Sequence, residues 1–109
     1  MSDVAATVPP SGEVSGVHSV ASVATPHASR YLQQLCKHFA HKRAVSFDER
    51  HGRIDFAIGI CDLEVVDGAL RMRLAAPNGA DLAQLADVVQ RHLVRFAFRE
   101  ELAIRWETR

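Results

Sequence analysis

Two cysteines, Cys36 and Cys61, make up all the thiol chemistry of this 109-residue chain. That is too few for a disulfide framework, so both are read as free thiols in a reducing cytoplasm. No apolar run approaches the roughly 20 residues that span a bilayer. The start of the chain carries Asp3 in place of a basic cluster, and no apolar segment follows it, so no secretory signal is expected. Charge of either sign is not in excess, with 13 basic against 13 acidic residues. A dedicated nucleic-acid binder normally shows a basic surplus, so nucleic acid is not an expected partner, nor is a membrane. No glycine-rich loop follows a strand, which removes the usual cradle for flavin, nicotinamide or nucleoside phosphates. The G-x-S-x-G elbow, the H-E-x-x-H helix and paired C-x-x-C motifs are absent as well.

What is present is one modest core. Residues 1–17 are rich in Ala, Val, Ser, Gly and Pro without either structural period, and read as a disordered leader ahead of a single domain over 18–109. A strand of small residues is expected over His18–Ala24, placed at a sheet edge because its side chains fill little core. Thr25–Pro26 then reads as an N-cap followed by the first helical residue. Ala28, Tyr31, Leu32, Leu35, Cys36 and Phe39 recur at the helical period, which predicts an amphipathic helix from Pro26 to near Lys42.

Strands follow. Val45 and Phe47 alternate with polar neighbours, and Glu49–Gly52 reads as a turn. Ile54, Phe56, Ile58 and Ile60 alternate in a strand whose parity slips at Gly59–Ile60–Cys61, as at a bulge or tight connection. Asp67–Gly68 is a hairpin signal, and Leu70, Met72 and Leu74 return on the core face. Asn78 is a fitting N-cap for a second helix carrying Leu82, Leu85, Val89, Leu93 and Phe96. A last strand is expected to turn Leu102, Ile104 and Trp106 inward. The order is β-α-β-β-β-β-α-β. The simplest way to cover both amphipathic helices is an α+β two-layer sandwich, a mostly antiparallel sheet with both helices on one face. Arg53, Asp55, Asp62, Glu64, Arg71 and Arg73 would then form a wet outer face.

The chemically dense stretch is Leu35–Lys42, LCKHFAHK. Helical phase divides it. Cys36 and His38 lie about 160° apart around the axis, so they cannot share a metal while the helix holds. Cys36 and Cys61 face the core, where a free thiol behaves as a small apolar group. His38 and His41 share the other shoulder. With Lys37, Lys42 and Arg43 they form a local basic end fit for an anionic small molecule, the alternative being simple complementation of the helix dipole. The ligand-facing residues expected are His38, His41 and Lys42. As metal ligands His38 and His41 supply half a set, which His51, His92 or Asp55 would have to complete. Asp48, Glu49 and Asp55 show no sign of convergence as an acid–base pair.

The blocks RYLQQLCKHFAHK, GRIDF, GICDLEV and HLVRFAFREELAIRW together resemble the bacterial domain-of-unknown-function family 2218, over roughly His18–Glu107. The resemblance implies a setting in iron–siderophore metabolism beside siderophore-interacting reductases. On that reading the chain is a binding or accessory protein before it is an enzyme. It has no resident cofactor, and its partners are an anionic small molecule, a siderophore reductase or a second copy of itself through His18–Ala24. The alternatives are a metal- or haem-binding protein using the histidine pair, and a small enzyme with a histidine general base.

Overall fold

The computed structural model describes residues 16–108. The expected leader lies outside the described residues up to residue 15, and Val17 already belongs to the first strand. The elements are β1 (Val17–Ala24), α1 (Ala28–Phe39), β2 (Ala44–Phe47), β3 (His51–Phe56), β4 (Gly59–Val66), β5 (Ala69–Ala76), α2 (Gly79–Phe96) and β6 (Glu107–Thr108). The fold is α+β, a six-stranded antiparallel sheet in the order β2-β3-β4-β5-β1-β6 with two helices.

One sheet face is apolar because parity puts the same kind of residue on it in every long strand. Ile54 lies opposite Cys61, which lies opposite Leu74, and Leu63 lies opposite Met72. Ala21 and Val23 of β1 continue the face against Met72 and Leu70. The helices cover it with Leu32, Leu35 and Cys36 from α1 and Leu85, Val89 and Leu93 from α2, all within 1 % of full burial. The opposite face carries the expected charges, with Arg53 beside Asp62 (3.8 Å) and Arg71 beside Glu64 (3.5 Å).

Four details differ from the sequence expectation. First, β1 is not the outermost strand. It lies between β5, along all eight of its residues, and β6, which meets it at Ser19 and Val20. In the segment before β6, Leu102, Ile104 and Trp106 pack against the core. Secondly, those three residues lie in an unpaired stretch, and only Glu107–Thr108 forms a strand. The Trp106 indole N–H donates to Gln90 Oε1 (2.9 Å), anchoring the stretch to α2 by a side chain. Thirdly, the parity slip is a two-residue turn, Ala57–Ile58, closed by Phe56 opposite Gly59. Fourthly, α1 is shorter at both ends. The Thr25 hydroxyl accepts from the His27 N–H (3.1 Å) and holds residues 25–27 in a turn, so the helix begins at Ala28. After Phe39 the chain turns, with the Lys42 and Arg43 N–H groups both donating to the Phe39 carbonyl.

Two signals read as expected. Asp67 and Gly68 both have positive φ, 48° and 73°, which is the primed turn that suits a hairpin. The Asn78 side chain accepts from the Asp81 N–H (2.8 Å), satisfying an otherwise orphaned donor of α2.

Gly52 fixes how deep α1 sits. A Cβ at that position would meet Cys36 Sγ at 2.7 Å and Leu32 Cδ2 at 3.2 Å. Gly52→Ala should therefore destabilise the protein by about 1–3 kcal/mol through overpacking. Cys36→Ala in the same chain should recover part of that loss, because it removes the nearer obstacle. Urea denaturation of the two single variants and the double variant gives the comparison.

Candidate functional site

The C-terminal turn of α1 runs beside α2, and aromatic rings fill the space between them. The His38 ring lies 4.8 Å from that of His92 and 5.7 Å from that of Phe96. Phe39 packs against His92 at 4.9 Å and edge-on against Phe56 at 4.9 Å. His92 Nδ1 lies 2.7 Å from the Val88 carbonyl. A carbonyl can only accept, so Nδ1 carries the proton and a neutral His92 keeps its lone pair on Nε2. His38 itself is exposed, as are His41 and Lys42 in the turn that follows α1.

The electrostatics of this corner have one sign. His38 is held below the ordinary histidine range by partial burial, and then by His92, Arg95, His41 and Lys42. Each of these is basic, and no carboxylate figures among the charges His38 feels. At neutral pH the corner presents two permanent cations, Lys42 and Arg95, beside imidazoles that can accept a proton.

The structure thus brings His38, His41 and Lys42 together and adds His92 and Arg95 from α2. It does not bring His51 or Asp55 to them. Both lie in β3 with side chains on the outer face, where His51 Nε2 is 3.5 Å from Glu64 and Asp55 is 3.9 Å from Arg53. Among the described residues no three His, Cys, Asp or Glu side chains are grouped as a metal centre requires. Asp48 is a turn residue whose Oδ1 accepts the N–H groups of Arg50 and His51, both at 2.8 Å. Those bonds lower its carboxyl pKa. The carbonyl of Glu49 accepts from the Ser29 hydroxyl.

The cysteines are both buried and free. Burial pushes the Cys36 thiol up to about 11. It pushes Cys61 higher still, with Asp62 and Cys36 adding to the effect. Neither has the thiolate character that nucleophiles and soft ligands need.

A second polar cluster escaped sequence reasoning. The Tyr31 hydroxyl donates to Glu100 Oε2, and the Thr25 hydroxyl lies 3.1 Å from both Glu100 oxygens. The His27 ring stands edge-on to Tyr31 at 6.0 Å. Tyr31 and Glu100 are 69 residues apart, so no spacing rule joins them. The one hint was a tyrosine on the apolar stripe of α1, whose hydroxyl needs a partner once buried. On the outer face a shallow depression of about 530 Å³ is lined by His51, Arg53, Asp62, Glu64, Arg71 and neighbours. Asp62 there has a raised pKa from burial, opposed by Arg53 and Arg73.

The family of uncharacterized proteins conserved in bacteria, DUF2218, matches over residues 20–107. The chain belongs to that family. The match takes in β1 from Val20 onward, both helices and both polar clusters. Among solved structures, the NMR structure of PA4090 from Pseudomonas aeruginosa is 38 % identical in sequence, with a TM-score of 0.70. That likeness covers 83 % of this chain and 94 % of the other, so the two share the fold over most of both chains. No curated protein matches the chain. No helix among the described residues is long and apolar enough to cross a membrane.

Two outcomes follow from these environments. The native protein should not react with a thiol-specific disulfide reagent near neutral pH, and unfolding should release two equivalents; absorbance of the liberated thiol reports both. The Glu100 pKa is depressed by Tyr31 first, and Thr25 adds to it. A carboxylate with a depressed folded pKa contributes stability above its unfolded value and loses it as pH falls through the folded one. Tyr31→Phe should therefore lower the melting temperature most at neutral pH, with the gap to wild type narrowing below about pH 4.

Proposed function

We propose that the protein is a small binding or accessory protein that takes an anionic small molecule at the corner formed by His38, His41 and Lys42 of the α1 end with Arg95 of α2. The observation that carries this reading is the packing of α2 against the end of α1, which sets the His38 ring 4.8 Å from that of His92 and gathers basic side chains alone around it. Every charge that shifts His38 is basic, and an anion would relieve that repulsion. Lys42 and Arg95 supply the fixed attraction. His38 and His41 supply donors to a carboxylate once protonated. The family resemblance directs the choice of ligand. A carboxylate-rich ferric siderophore is the class to test first, and a siderophore reductase is the partner such a binding step would serve in the cytoplasm.

The geometry favours binding over catalysis. A histidine general base works best with a facing group that orients it, and no acidic residue contributes to the shift of His38. A haem or metal site on His38 and His92 is the other use of their 4.8 Å ring contact. It would still need ligands from outside the pair.

Thermal melts with a ferric carboxylate siderophore, with haem and with zinc separate these readings. A ligand at about a hundred times its dissociation constant stabilises the folded state by about 2.7 kcal/mol. The siderophore should raise the melting temperature, and Lys42→Glu with Arg95→Glu should abolish the rise. Anion binding raises the pKa of His38, so affinity should increase as pH falls from about 8 to about 6. A rise with haem or zinc alone would replace the anion reading by the metal one. No rise with any of the three would remove this corner as a binding site.

A further inference from the structure

Among the described residues nothing pairs with the outer side of β2, and its chemistry is that of a pairing strand. β2 hydrogen-bonds to β3 and stands outermost in the strand order. The Asp48 N–H bonds the His51 carbonyl (2.8 Å), which sets the phase of the ladder. In an antiparallel ladder every second residue bonds the neighbour, so Ser46 and Ala44 turn their backbone groups to β3. Val45 and Phe47 direct theirs outward. Natural edges are usually blunted by a charge, a proline or a bulge. β2 reads Ala-Val-Ser-Phe and has none of these, and Phe47 is 39 % exposed. The charges sit instead at its two ends, and they differ in sign. Lys42 and Arg43 precede the strand, and Asp48 and Glu49 follow it.

We infer that β2 pairs with β2 of a second copy, joining two sheets into one continuous twelve-stranded sheet. A two-fold axis that relates antiparallel strands stands normal to the sheet, so each residue must face one of like parity. Centred on Ser46, this pairing sets Val45 against Phe47 of the second copy, both on the helix-covered side. Their outward N–H and carbonyl groups are the ones left over from pairing with β3. Arg43 and Glu49 lie in the bends that flank the strand, so the same register puts the Arg43 end of one β2 beside the Glu49 end of the other, twice by symmetry. Neither Arg43 nor Glu49 forms an ion pair within the chain among the described residues. Arg50 does not extend the strand into a like-charge clash with Lys42. Its carbonyl accepts from the Val65 N–H (2.9 Å), so the chain has already turned toward β4. Centring on Val45 instead would set Arg43 against Phe47 and lose both the apolar pair and this charge match. The other end of the sheet is less open, since β6 pairs with β1 there and Trp106 ties the stretch before it to α2.

Sedimentation equilibrium of the full chain, from micromolar to near-millimolar protein, tests the inference. A dimer of twice the 12.0 kDa chain mass is expected at the upper end. Arg43→Glu should weaken it by about tenfold or more, since like charges then face each other. Arg43→Glu with Glu49→Arg should restore it. Val45→Pro removes an outward N–H that the single chain does not use, and should leave a folded monomer by circular dichroism. A wild-type chain that stays monomeric throughout would overturn the proposal. So would a dimer indifferent to both Arg43→Glu and Val45→Pro.

Discussion

The contact between Cys36 and Gly52 decides how close α1 lies to the sheet, and most of the molecule follows from that distance. Because Gly52 offers no side chain, the thiol and Leu32 reach the backbone of β3. The helix then lies low enough beside α2 for Phe39 to reach both Phe56 and His92. His38, one residue before Phe39, is carried to the same seam and meets His92 and Phe96. A buried thiol that is chemically quiet thus sets the position of an imidazole that is not. The cysteine takes no part in the proposed binding chemistry, yet the geometry of the basic corner rests on it.

The corner illustrates how one helix serves two purposes by phase. Its apolar stripe buries Leu32, Leu35 and Cys36 against the sheet. Its far shoulder ends in groups that lower the proton affinity of a neighbour. The same division recurs at the N-terminal end of the helix. There Tyr31 buries its ring and spends its hydroxyl on Glu100. The two ends differ in what they await. Glu100 already has its donors in Tyr31 and Thr25, whereas the basic groups around His38 have no acid among them.

Much of this was legible in the sequence, for local reasons. The helical period of Ala28 to Phe39 and the strand parity around Leu63 and Met72 specify faces without reference to anything distant. Asp67–Gly68 and Asn78 specify a turn and a cap through their own backbone chemistry. The reading failed where a distant partner decides. β1 looked like an edge because its side chains are small, but β6 and the segment before it come from the far end of the chain. The stretch from Leu102 to Trp106 alternates as a strand does, yet it is held by Trp106 on Gln90 and not by a ladder. Thr25 read as a helix cap because its sequence neighbours fit that role. Its hydroxyl also serves Glu100, which no local pattern reveals. Of the site, the α1 half was visible as a dense stretch, while Arg95 belongs to the second helix and only packing brings it near His38.

The position of β1 also governs the order in which the chain can assemble. The strands from β2 to β5 form a meander in which each pairs with the next, so contacts close over short loops as the chain lengthens. β1 emerges from the ribosome before all of them and finds no strand to pair with until β5 is complete. Until then its backbone is exposed, and long-range pairing of this kind is slow. Its small side chains, Ser, Ala and Val in place of Leu or Ile, give little apolar surface to wrong partners during that wait. The composition that contributes little to the finished core is therefore well matched to a strand that must remain single through most of synthesis.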